Sequence, residues 1–264
     1  MESAMKNAGR FDGFAAIYDG ARPAMPAFPA ELVTQYLGRM PAEVVDLGSG
    51  TGLSALAWAG RCGRVTGIEP SADMLAAARE KEAAGIRFLR GYSHETGLPD
   101  AFADAVICSQ SFHWMEPAAT LAEVGRILKS GGVFAAVDCD WPPAAVWEAE
   151  QAYGALFGAV NTLEQTYPAL RDSFCRWDKA KHLDNLRASG QFRFCREIVF
   201  HNTELCTAER FIGLAMSQGG LQSVLKFDAA LICGALAQFS ETVRRVFIGE
   251  REIVFSYRMR VGVK

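Results

Sequence analysis

The run from Val44 to Gly60 combines an acidic residue with closely spaced glycines. Asp46 lies in an apolar stretch, three glycines follow it at positions 48, 50 and 52, and an apolar helical pattern comes next. A strand, a glycine turn and a helix in this order typically bind a nucleotide. Glycines let the backbone approach the ligand, and the start of the helix offers free N–H groups. The run therefore predicts a nucleotide site at the end of the first strand.

The spacing of the glycines distinguishes two classes of nucleotide. Dinucleotide-binding loops have the form Gly-x-Gly-x-x-Gly, whereas here Leu53 occupies the third glycine position and Gly52 comes one residue early. Asp46 is unfavourable beside a pyrophosphate, since like charges repel, but it stabilises an ammonium or a sulfonium. These residues point to S-adenosylmethionine, whose reactive end carries both cations. An NAD(P)-dependent oxidoreductase is the less favoured alternative.

Four stretches of the sequence resemble, in order, the motifs of the class I S-adenosylmethionine-dependent methyltransferases. They are VVDLGSGTG, VTGIEPSADMLAAAR, GYSHETGLPDAFADAVICSQSFHWM and RILKSGGVFAAVD. The resemblance covers about residues 11–138, and FHWM with an N-terminal Y…RPAMP is most similar to the branch that includes trans-aconitate-type methyltransferases. It implies methyl transfer to a small-molecule acceptor, which leaves S-adenosylhomocysteine.

The resemblance implies a cofactor site around the ends of the first four strands. Asp46 would accept from the cofactor ammonium, directly or through water, and the carboxylate of Glu69 can accept from both ribose hydroxyls. As a strand-end acid, Glu69 is expected to add little to stability. Met74 fits a place beside the adenine and a place in the core equally well. The predicted cofactor-binding residues are Tyr18, Arg22, Asp46, Gly48, Ser49, Gly50, Glu69, Pro70, Met74, Ser93, His94, Ser109, Gln110 and Trp114.

The segment after the third strand departs from the family pattern. The family often has Gly-Asp-Ala there, with the aspartate on the adenine amino group, whereas this chain has Gly91-Tyr92-Ser93-His94. Adenine recognition is therefore expected to use backbone groups, Ser93 or His94.

Three residues are candidates for contact with the reacting molecules. His113 follows the fourth strand, where ligands of open α/β sheets bind, and could be a general base or a packing histidine. Trp114 is expected to pack against the loop and the cofactor. Arg22 lies with Tyr18 on an N-terminal arm, where it could pair with a carboxylate of cofactor or substrate or lie at the surface.

Composition restricts the partners and the compartment. The net charge of −3 gives no support to a nucleic-acid partner, and Ser109-Gln110-Ser111-Phe112 does not match the motif of base-amine methylation. The seven cysteines are scattered without zinc-ligand spacing, so we expect no metal and a reducing compartment. No apolar stretch approaches the roughly 20 residues of a membrane span, and the N-terminus lacks a secretory pattern. We expect a cytoplasmic protein without membrane contact.

The order of apolar and helical patterns predicts an α/β fold. Strands alternate with helices from Val44 to Val137, which indicates right-handed crossovers and five parallel strands. A strand at Phe192–His201 and a terminal alternating strand follow. We therefore predict a doubly wound, seven-stranded, mostly parallel sheet with an antiparallel last strand, helices on both faces and a helical lid inserted after the fifth strand.

We expect one methyltransferase domain over residues 1–264. Its parts are an N-terminal arm and helix (1–40), a cofactor-binding half (41–138), a helical insertion (139–178) and the rest of the sheet with a second helical insertion (179–264). Aromatic residues in 139–178 favour a lid over the substrate, although they could simply pack the insertion onto the sheet. A cofactor-binding protein without catalysis is the other alternative. The sequence identifies neither the acceptor atom nor the oligomeric state.

Overall fold

A seven-stranded sheet forms the centre of the protein, whose computed structural model describes residues 7, 13 and 15–264. The strands are β1 (Glu43–Leu47), β2 (Arg64–Glu69), β3 (Ile86–Arg90), β4 (Ala103–Ser109), β5 (Leu128–Cys139), β6 (Phe194–Cys206) and β7 (Arg251–Val263). Their spatial order is β3-β2-β1-β4-β5-β7-β6. Strands β1 to β5 pair in parallel, and β7 is antiparallel to both β5 and β6. The predicted sheet with an antiparallel last strand is confirmed.

Helices surround the sheet. Two precede β1, namely α1 (Ala15–Ala21) and α2 (Phe28–Leu37). The parallel half contains α3 (Leu53–Leu56), α4 (Ala72–Arg79) and α5 (Pro117–Ile127). After β5 come α6 (Trp147–Thr166), α7 (Pro168–Arg171), α8 (His182–Ala188), α9 (Ala208–Met216), α10 (Gly219–Asp228) and α11 (Cys233–Val246). Short 3₁₀ helices form at Phe112–Trp114, Lys179–Lys181 and Ala229–Leu231.

The sheet separates two apolar cores. Successive strand residues point to opposite faces, so β1 sends Val44 into one core and Val45 into the other. The first core includes buried residues of α6, α9 and α11, and the second includes those of α5 and α8. All five residues of β1 are buried, as expected for a central parallel strand covered on both faces. This arrangement confirms the predicted doubly wound architecture.

The fifth strand is much longer than its sequence pattern predicts. The pattern limits it to Val133–Val137 because Gly131 and Gly132 read as a turn, whereas β5 spans Leu128–Cys139. Gly131 N–H donates to the Lys264 carbonyl at 3.0 Å, and Lys264 N–H donates to the Gly132 carbonyl at 2.9 Å. Pairing with the far end of the chain therefore extends the strand through the glycines.

The segment after β5 is helical, as predicted. Helix α6 spans 20 residues and buries Ala149, Tyr153 and Leu156 against the first core. In the part of the chain that the structure describes, no single helix has the length and apolar composition to cross a membrane. One helix pair, Gly219–Leu231 with Cys233–Val246, reaches that length and composition together but is bent by 112°.

Candidate active site

A cavity of about 290 Å³ opens at the carboxyl ends of the parallel strands. Glu69 from β2, Ser109 from β4 and Cys139 from β5 reach its wall. This is the edge at which open α/β sheets bind ligands. Every predicted cofactor-binding residue except Asp46 lines the cavity, namely Tyr18, Arg22, Gly48, Ser49, Gly50, Glu69, Pro70, Met74, Ser93, His94, Ser109, Gln110 and Trp114. The fold thus brings these residues together, and their contact with a cofactor stays a prediction.

The turn after β1 requires glycine because neighbouring side chains lie close to its backbone. A Cβ on Gly48 would lie 2.8 Å from both Met115 Cε and Ser111 Cβ, and the φ of Gly48 is +66°. Gly52 has a φ of +88°, and a Cβ there would lie 2.7 Å from Phe88 Cζ. Both positions therefore exclude a side chain for two reasons, the left-handed backbone and the contact.

Glu69 connects this turn to the next helix. Its Oε2 accepts from the Gly50 N–H and its Oε1 from the Ser71 N–H, each at 2.9 Å. A carboxylate has about four lone-pair sites, so it can accept from ligand hydroxyls as well. The two backbone bonds also change the expectation that Glu69 adds little to stability. Its side chain is only 6% exposed, so removing it leaves two buried N–H groups without their acceptor.

Asp46 is fully buried and does not line the cavity. Its Oδ2 accepts from the Ser54 hydroxyl, and its Oδ1 has no hydrogen-bond partner among the described residues. Burial raises the pKa of Asp46 to about 7, Ser54 opposes that rise, and the charge of Glu69 adds to it. Because Asp46 does not line the cavity, the structure gives no support to a direct hydrogen bond between Asp46 and the cofactor ammonium. Ser54, which does line the cavity, was missed by the sequence analysis.

The wall beyond β2 and β3 carries small polar and aromatic groups. Ser93 and Thr120 share a hydrogen bond between their hydroxyls at 2.9 Å. The His94 ring lies 5.7 Å from the Tyr92 ring. Met74 is buried and also lines the cavity, so its position is compatible with a place in the core and with one beside the adenine, and contact with the adenine stays a prediction.

The residue after β4 has an unusual backbone conformation. Gln110 has a φ of +55°, in the left-handed region that non-glycine residues rarely adopt. Its N–H donates to the Val137 carbonyl at 2.8 Å, which fixes the turn against β5. Strained positions of this kind concentrate at ligand sites, and Gln110 lies on the cavity wall.

Polar contacts fasten the N-terminal arm over one side of the cavity. Asp19 of α1 accepts from the Thr51 hydroxyl and pairs with Lys81, and Lys81 Nζ also donates to the Thr51 carbonyl at 2.7 Å. Asn7 Nδ2 donates to the Trp114 carbonyl at 2.7 Å. The sequence analysis identified neither Asn7 nor the pair Asp19–Lys81, because no local pattern connects them to the glycine turn.

Arg22 lies on the cavity wall with neutral partners. Its guanidinium donates to the Ser217 carbonyl at 3.1 Å and to Gln218 Oε1 at 3.2 Å. Its Cζ lies 4.9 Å from the centre of the Tyr18 ring and 4.7 Å from that of Trp141. Its Nε is buried and has no partner within the described chain. A cation held by carbonyls and rings is suited to pair with an anionic group in the cavity.

The far wall of the cavity comes from the ends of β5 and β7. Cys139 and Tyr257 are direct neighbours across these strands and both line the cavity. The Tyr257 hydroxyl is buried without a partner among the residues described, and burial raises its pKa well above the usual value. It is therefore a neutral donor. Sequence analysis missed Tyr257 because it lies on the last strand, far from every motif.

The helical insertion contributes little to this wall. Of residues 139–178, Cys139 and Trp141 line the cavity, and no residue of α6 does. Tyr153 of α6 instead stacks on Phe157 at 4.4 Å between ring centres and meets Phe211 of α9 edge-on. These aromatic residues pack the insertion onto the core, which is the alternative to a lid. Enclosure of a substrate by this segment stays a prediction.

His113 does not line the cavity but joins a buried cluster around Asp138. Asp138 Oδ1 lies 3.4 Å from His113 Nδ1 and 3.0 Å from Lys179 Nζ. Asp138 Oδ2 accepts from Arg260 at 3.0 Å and lies 3.7 Å from His182 Nε2. Burial lowers the pKa of both histidines to about 4, and Asp138 opposes this. The position of His113 gives no support to the predicted role of general base.

Comparison with known proteins shows a similarity that is strongest in the first half of the chain. Residues 45–136 match the family model described as a methyltransferase domain. The chain is 34% identical over 107 residues to an uncharacterized methyltransferase of Mycobacterium tuberculosis, covering 40% of this chain and 44% of that protein. It is 33% identical over 146 residues to the malonyl-[acyl-carrier protein] O-methyltransferase of Pectobacterium atrosepticum, covering 53% and 56%. The chain thus spans about half the length of these curated relatives.

The fold likeness extends over more of the chain. A structure of a type II methyltransferase candidate from Anaeromyxobacter dehalogenans superposes with a TM-score of 0.67. The superposition covers 92% of this chain and 97% of that chain. The sequence identity is 20%, so the likeness is one of fold alone. Residues 45–136 thus match a methyltransferase domain, and the likeness over the larger part of the chain is one of fold.

Proposed function

We propose that the protein binds S-adenosylmethionine in the described cavity and transfers its methyl group to a small-molecule acceptor. One observation carries this proposal. The same cavity is lined by the glycine turn and Glu69 on one side and by Arg22, Trp141 and Tyr257 on another. A cofactor and an acceptor can therefore lie side by side in one cavity. The name of the O-methyltransferase relative supports oxygen as the methylated atom.

The residues present fit the cofactor. Gly50 leaves open space where a Cβ would project, so the loop forms a cradle that any other residue would fill. The Ser49 hydroxyl is buried on the cavity wall without a partner in the described structure. Two unsatisfied polar features, Ser49 Oγ and Asp46 Oδ1, thus accompany the loop. Buried polar atoms in native proteins find partners, and a cofactor with hydroxyl, ammonium and carboxylate groups can supply one to Ser49 Oγ directly and to Asp46, which does not line the cavity, through water.

S-adenosylmethionine, when bound, supplies an electrophilic methyl group on a sulfonium. In the proposed function, Glu69 accepts from the ribose hydroxyls, and Gly48, Ser49 and Gly50 bind the methionine part. Trp114 and Trp141 exclude water from the reacting end. Rate enhancement then comes mainly from alignment of the two reactants in a dry cavity, which needs no acid–base pair.

The donors of the far wall indicate the chemistry of a bound carboxylate or other oxyanion. Arg22 offers a guanidinium and Tyr257 a neutral hydroxyl, and both face the cavity. We infer that Arg22 binds a carboxylate of the cofactor or of the acceptor. The size of the cavity supports a small molecule as the acceptor, rather than nucleic acid or a membrane lipid.

The cytoplasmic location of the protein stays a prediction.

Calorimetry tests the identity of the cofactor. Purified protein is titrated with S-adenosylmethionine, S-adenosylhomocysteine and NAD, and we expect the first two to bind far more tightly than NAD. Comparable or tighter NAD binding would contradict the proposal. Mass spectrometry of ligands that co-purify with the protein gives an independent measurement.

A second experiment separates an enzyme from a cofactor-binding protein without catalysis. The protein is incubated with a metabolite extract and S-adenosylmethionine that carries a labelled methyl group. Label in a new small molecule supports transfer. Tight cofactor binding with no labelled product in any extract would favour the non-catalytic alternative.

A further inference from the structure

A buried cluster of two histidines and one aspartate lies outside the cavity wall. His113 comes from the 3₁₀ helix after β4, Asp138 from β5, and His182 is the first residue of α8. One possible ligand atom from each residue lies within 4.8 Å of the other two. All three side chains are buried, and His182 is 0% exposed. Three separate elements thus direct ligand atoms to one point inside the protein.

Most of these atoms have no hydrogen-bond partner in the part of the chain that is described. They are His113 Nδ1, both ring nitrogens of His182 and Asp138 Oδ1, which forms an ion pair with Lys179 but no hydrogen bond. Buried polar atoms in native proteins are nearly always satisfied, and each exception needs an explanation. Asp138 faces both rings, at 3.4 Å from His113 and 3.7 Å from His182, but neither contact is a good hydrogen bond.

The 3.4 Å between His113 Nδ1 and Asp138 Oδ1 is the separation of two ligands of one metal ion, and one possible ligand atom of His182 lies within 4.8 Å of those of the other two residues. Two ligands at about 2.0–2.2 Å from a tetrahedral ion lie about 3.3–3.6 Å from each other. Two imidazoles and a carboxylate are the donors of Zn²⁺ and similar divalent transition metals, whereas Mg²⁺ and Ca²⁺ prefer oxygen. We propose that His113, Asp138 and His182 form a site for a divalent transition-metal ion, with Zn²⁺ the best match.

Two cations already lie at Asp138, and they play different parts. Arg260 is buried, donates to Oδ2 and forms an ion pair with Glu197 at 2.8 Å, so its charge is balanced and it orients the carboxylate. Lys179 lies 3.0 Å from Oδ1, with its side chain 34% exposed on a short 3₁₀ helix. A metal at Oδ1 must displace this ammonium, because like charges repel at that distance. Lys179 therefore competes with the metal and can withdraw to solvent.

The site has a structural role, since its ligands do not line the cavity. The ion would connect β5 and α8 to the 3₁₀ helix Phe112–Trp114, whose Trp114 does line it. The proposal does not depend on the methyl-transfer chemistry, because binding of the metal is measured directly.

Metal binding to the full chain tests the site. Protein treated with a chelator is titrated with Zn²⁺ by calorimetry and with Co²⁺ by visible absorption, which reports four-coordinate geometry. We expect saturable binding of a single ion in the wild type. Lys179→Gln should bind at least about tenfold more tightly, because a competing charge is gone. Lys181→Gln is the matched control on the same 3₁₀ helix and should match the wild type.

Histidine variants locate the ligands. His113→Gln and His182→Asn should lose the Co²⁺ spectrum, whereas His94→Ala and His201→Ala, the two remaining histidines, should keep it. Absence of saturable binding in both wild type and Lys179→Gln would overturn the proposal. So would equal affinities of Lys179→Gln and Lys181→Gln, or an unchanged spectrum in folded His182→Asn. The lysine variants decide the matter if a buried histidine variant fails to fold.

Discussion

Two buried aspartates on neighbouring strands show that the two edges of the sheet are built differently. Asp104, at the amino end of β4, is 1% exposed, and Asp46, near the carboxyl end of β1, is 0% exposed. Asp104 accepts from Arg39 at 2.6 Å, from Lys129 at 3.0 Å and from two backbone N–H groups. Asp46 accepts only from Ser54 among the hydrogen bonds of the described residues.

The two carboxylates consequently affect stability in opposite directions. Burial acts to raise the pKa of Asp104, but Arg39, the Glu43 N–H and Lys129 outweigh it and hold the pKa well below its usual value. For Asp46, burial prevails and raises the pKa to about 7. Ionised Asp104 therefore stabilises the fold, and ionised Asp46 destabilises it. The amino edge neutralises its buried charge, whereas the buried carboxylate at the carboxyl edge has no cation among its hydrogen-bond partners in the described chain.

The largest effect is expected at the amino edge. Asp104→Ala should lower the free energy of unfolding by about 2–4 kcal/mol, because two cations and two backbone N–H groups, one of them the buried Glu43 N–H, lose their shared acceptor. Urea denaturation measures this loss. Asp100→Ala, an exposed acid that pairs with Arg126, is the control and should cost less than about 1 kcal/mol. Equal losses in the two variants would show that the Asp104 network is not stabilising.

At the cavity, Glu69→Gln should weaken binding of S-adenosylmethionine about tenfold or more. The substitution removes the charge and one acceptor of two charge-assisted hydrogen bonds, each worth about 1.5–3 kcal/mol. It should also lower the melting temperature, since the Gly50 or Ser71 N–H loses its acceptor.

Calorimetry and thermal unfolding of the same samples measure both effects. Exposed Glu95→Gln is the control. A dissociation constant within twofold of wild type for folded Glu69→Ala would remove Glu69 from the site.

Asp46→Asn is expected to raise the free energy of unfolding, whereas Asp104→Ala lowers it. Wild-type stability should fall as pH rises from about 4 to about 7, because the native state holds the Asp46 proton more tightly than the unfolded chain does. The asparagine removes this fall and should stabilise the free protein at pH 8 by about 1–2 kcal/mol. This is less than the full pKa shift implies, since one amide N–H stays unpaired. Urea denaturation at pH 5 and pH 8 measures it. Lower stability of the variant at pH 8 would contradict the comparison.

The smallest effect concerns the pH dependence of binding. A cofactor with an ammonium favours ionised Asp46, so its affinity should rise about threefold to tenfold from pH 6 to pH 8 and level off above about pH 8. 5′-Methylthioadenosine, which lacks the ammonium, should show no such rise. Calorimetry across this range with wild type and Asp46→Asn distinguishes the ligand effect from a general pH effect. A rise of equal size in both proteins would exclude Asp46 as its source.

The sequence predicts the parallel half of the fold well because its signals are local. The apolar patterns of the sequence predict strands at Arg64–Glu69 and Ile86–Arg90, which are the bounds of β2 and β3. Ser71, a typical N-cap residue before a helical pattern, caps α4 by accepting from the Met74 N–H. The turn glycines, Glu69 and the cavity residues near them also follow from short motifs. Pairing partners far along the chain leave no such pattern. Hence the length of β5, the contribution of Tyr257 and the arm contacts of Asp19 were not predictable.

The burial and the orientation of polar side chains were the second thing that the sequence could not predict. The sequence places Asp46 and His113 correctly at the carboxyl edge, but it cannot tell a cavity wall from the layer behind it. His113 turns toward Asp138, whose partner Arg260 is on β7. The direction of a side chain at a strand end depends on such charges far along the chain. A histidine at this position can point toward the cavity or toward the layer behind it, and the sequence does not distinguish the two.

The place of β7 between β5 and β6 has a consequence for synthesis of the protein. The β5 strand ends at Cys139 and β7 begins at Arg251, more than one hundred residues later. A ribosome that adds about 5–20 residues per second needs about 5–20 s to cover that interval. During this time the backbone edge of β5 has no strand beside it on that side, and an open apolar edge can pair with other nascent chains. Slowed translation of the last strand should therefore reduce the yield of folded protein without changing its final stability.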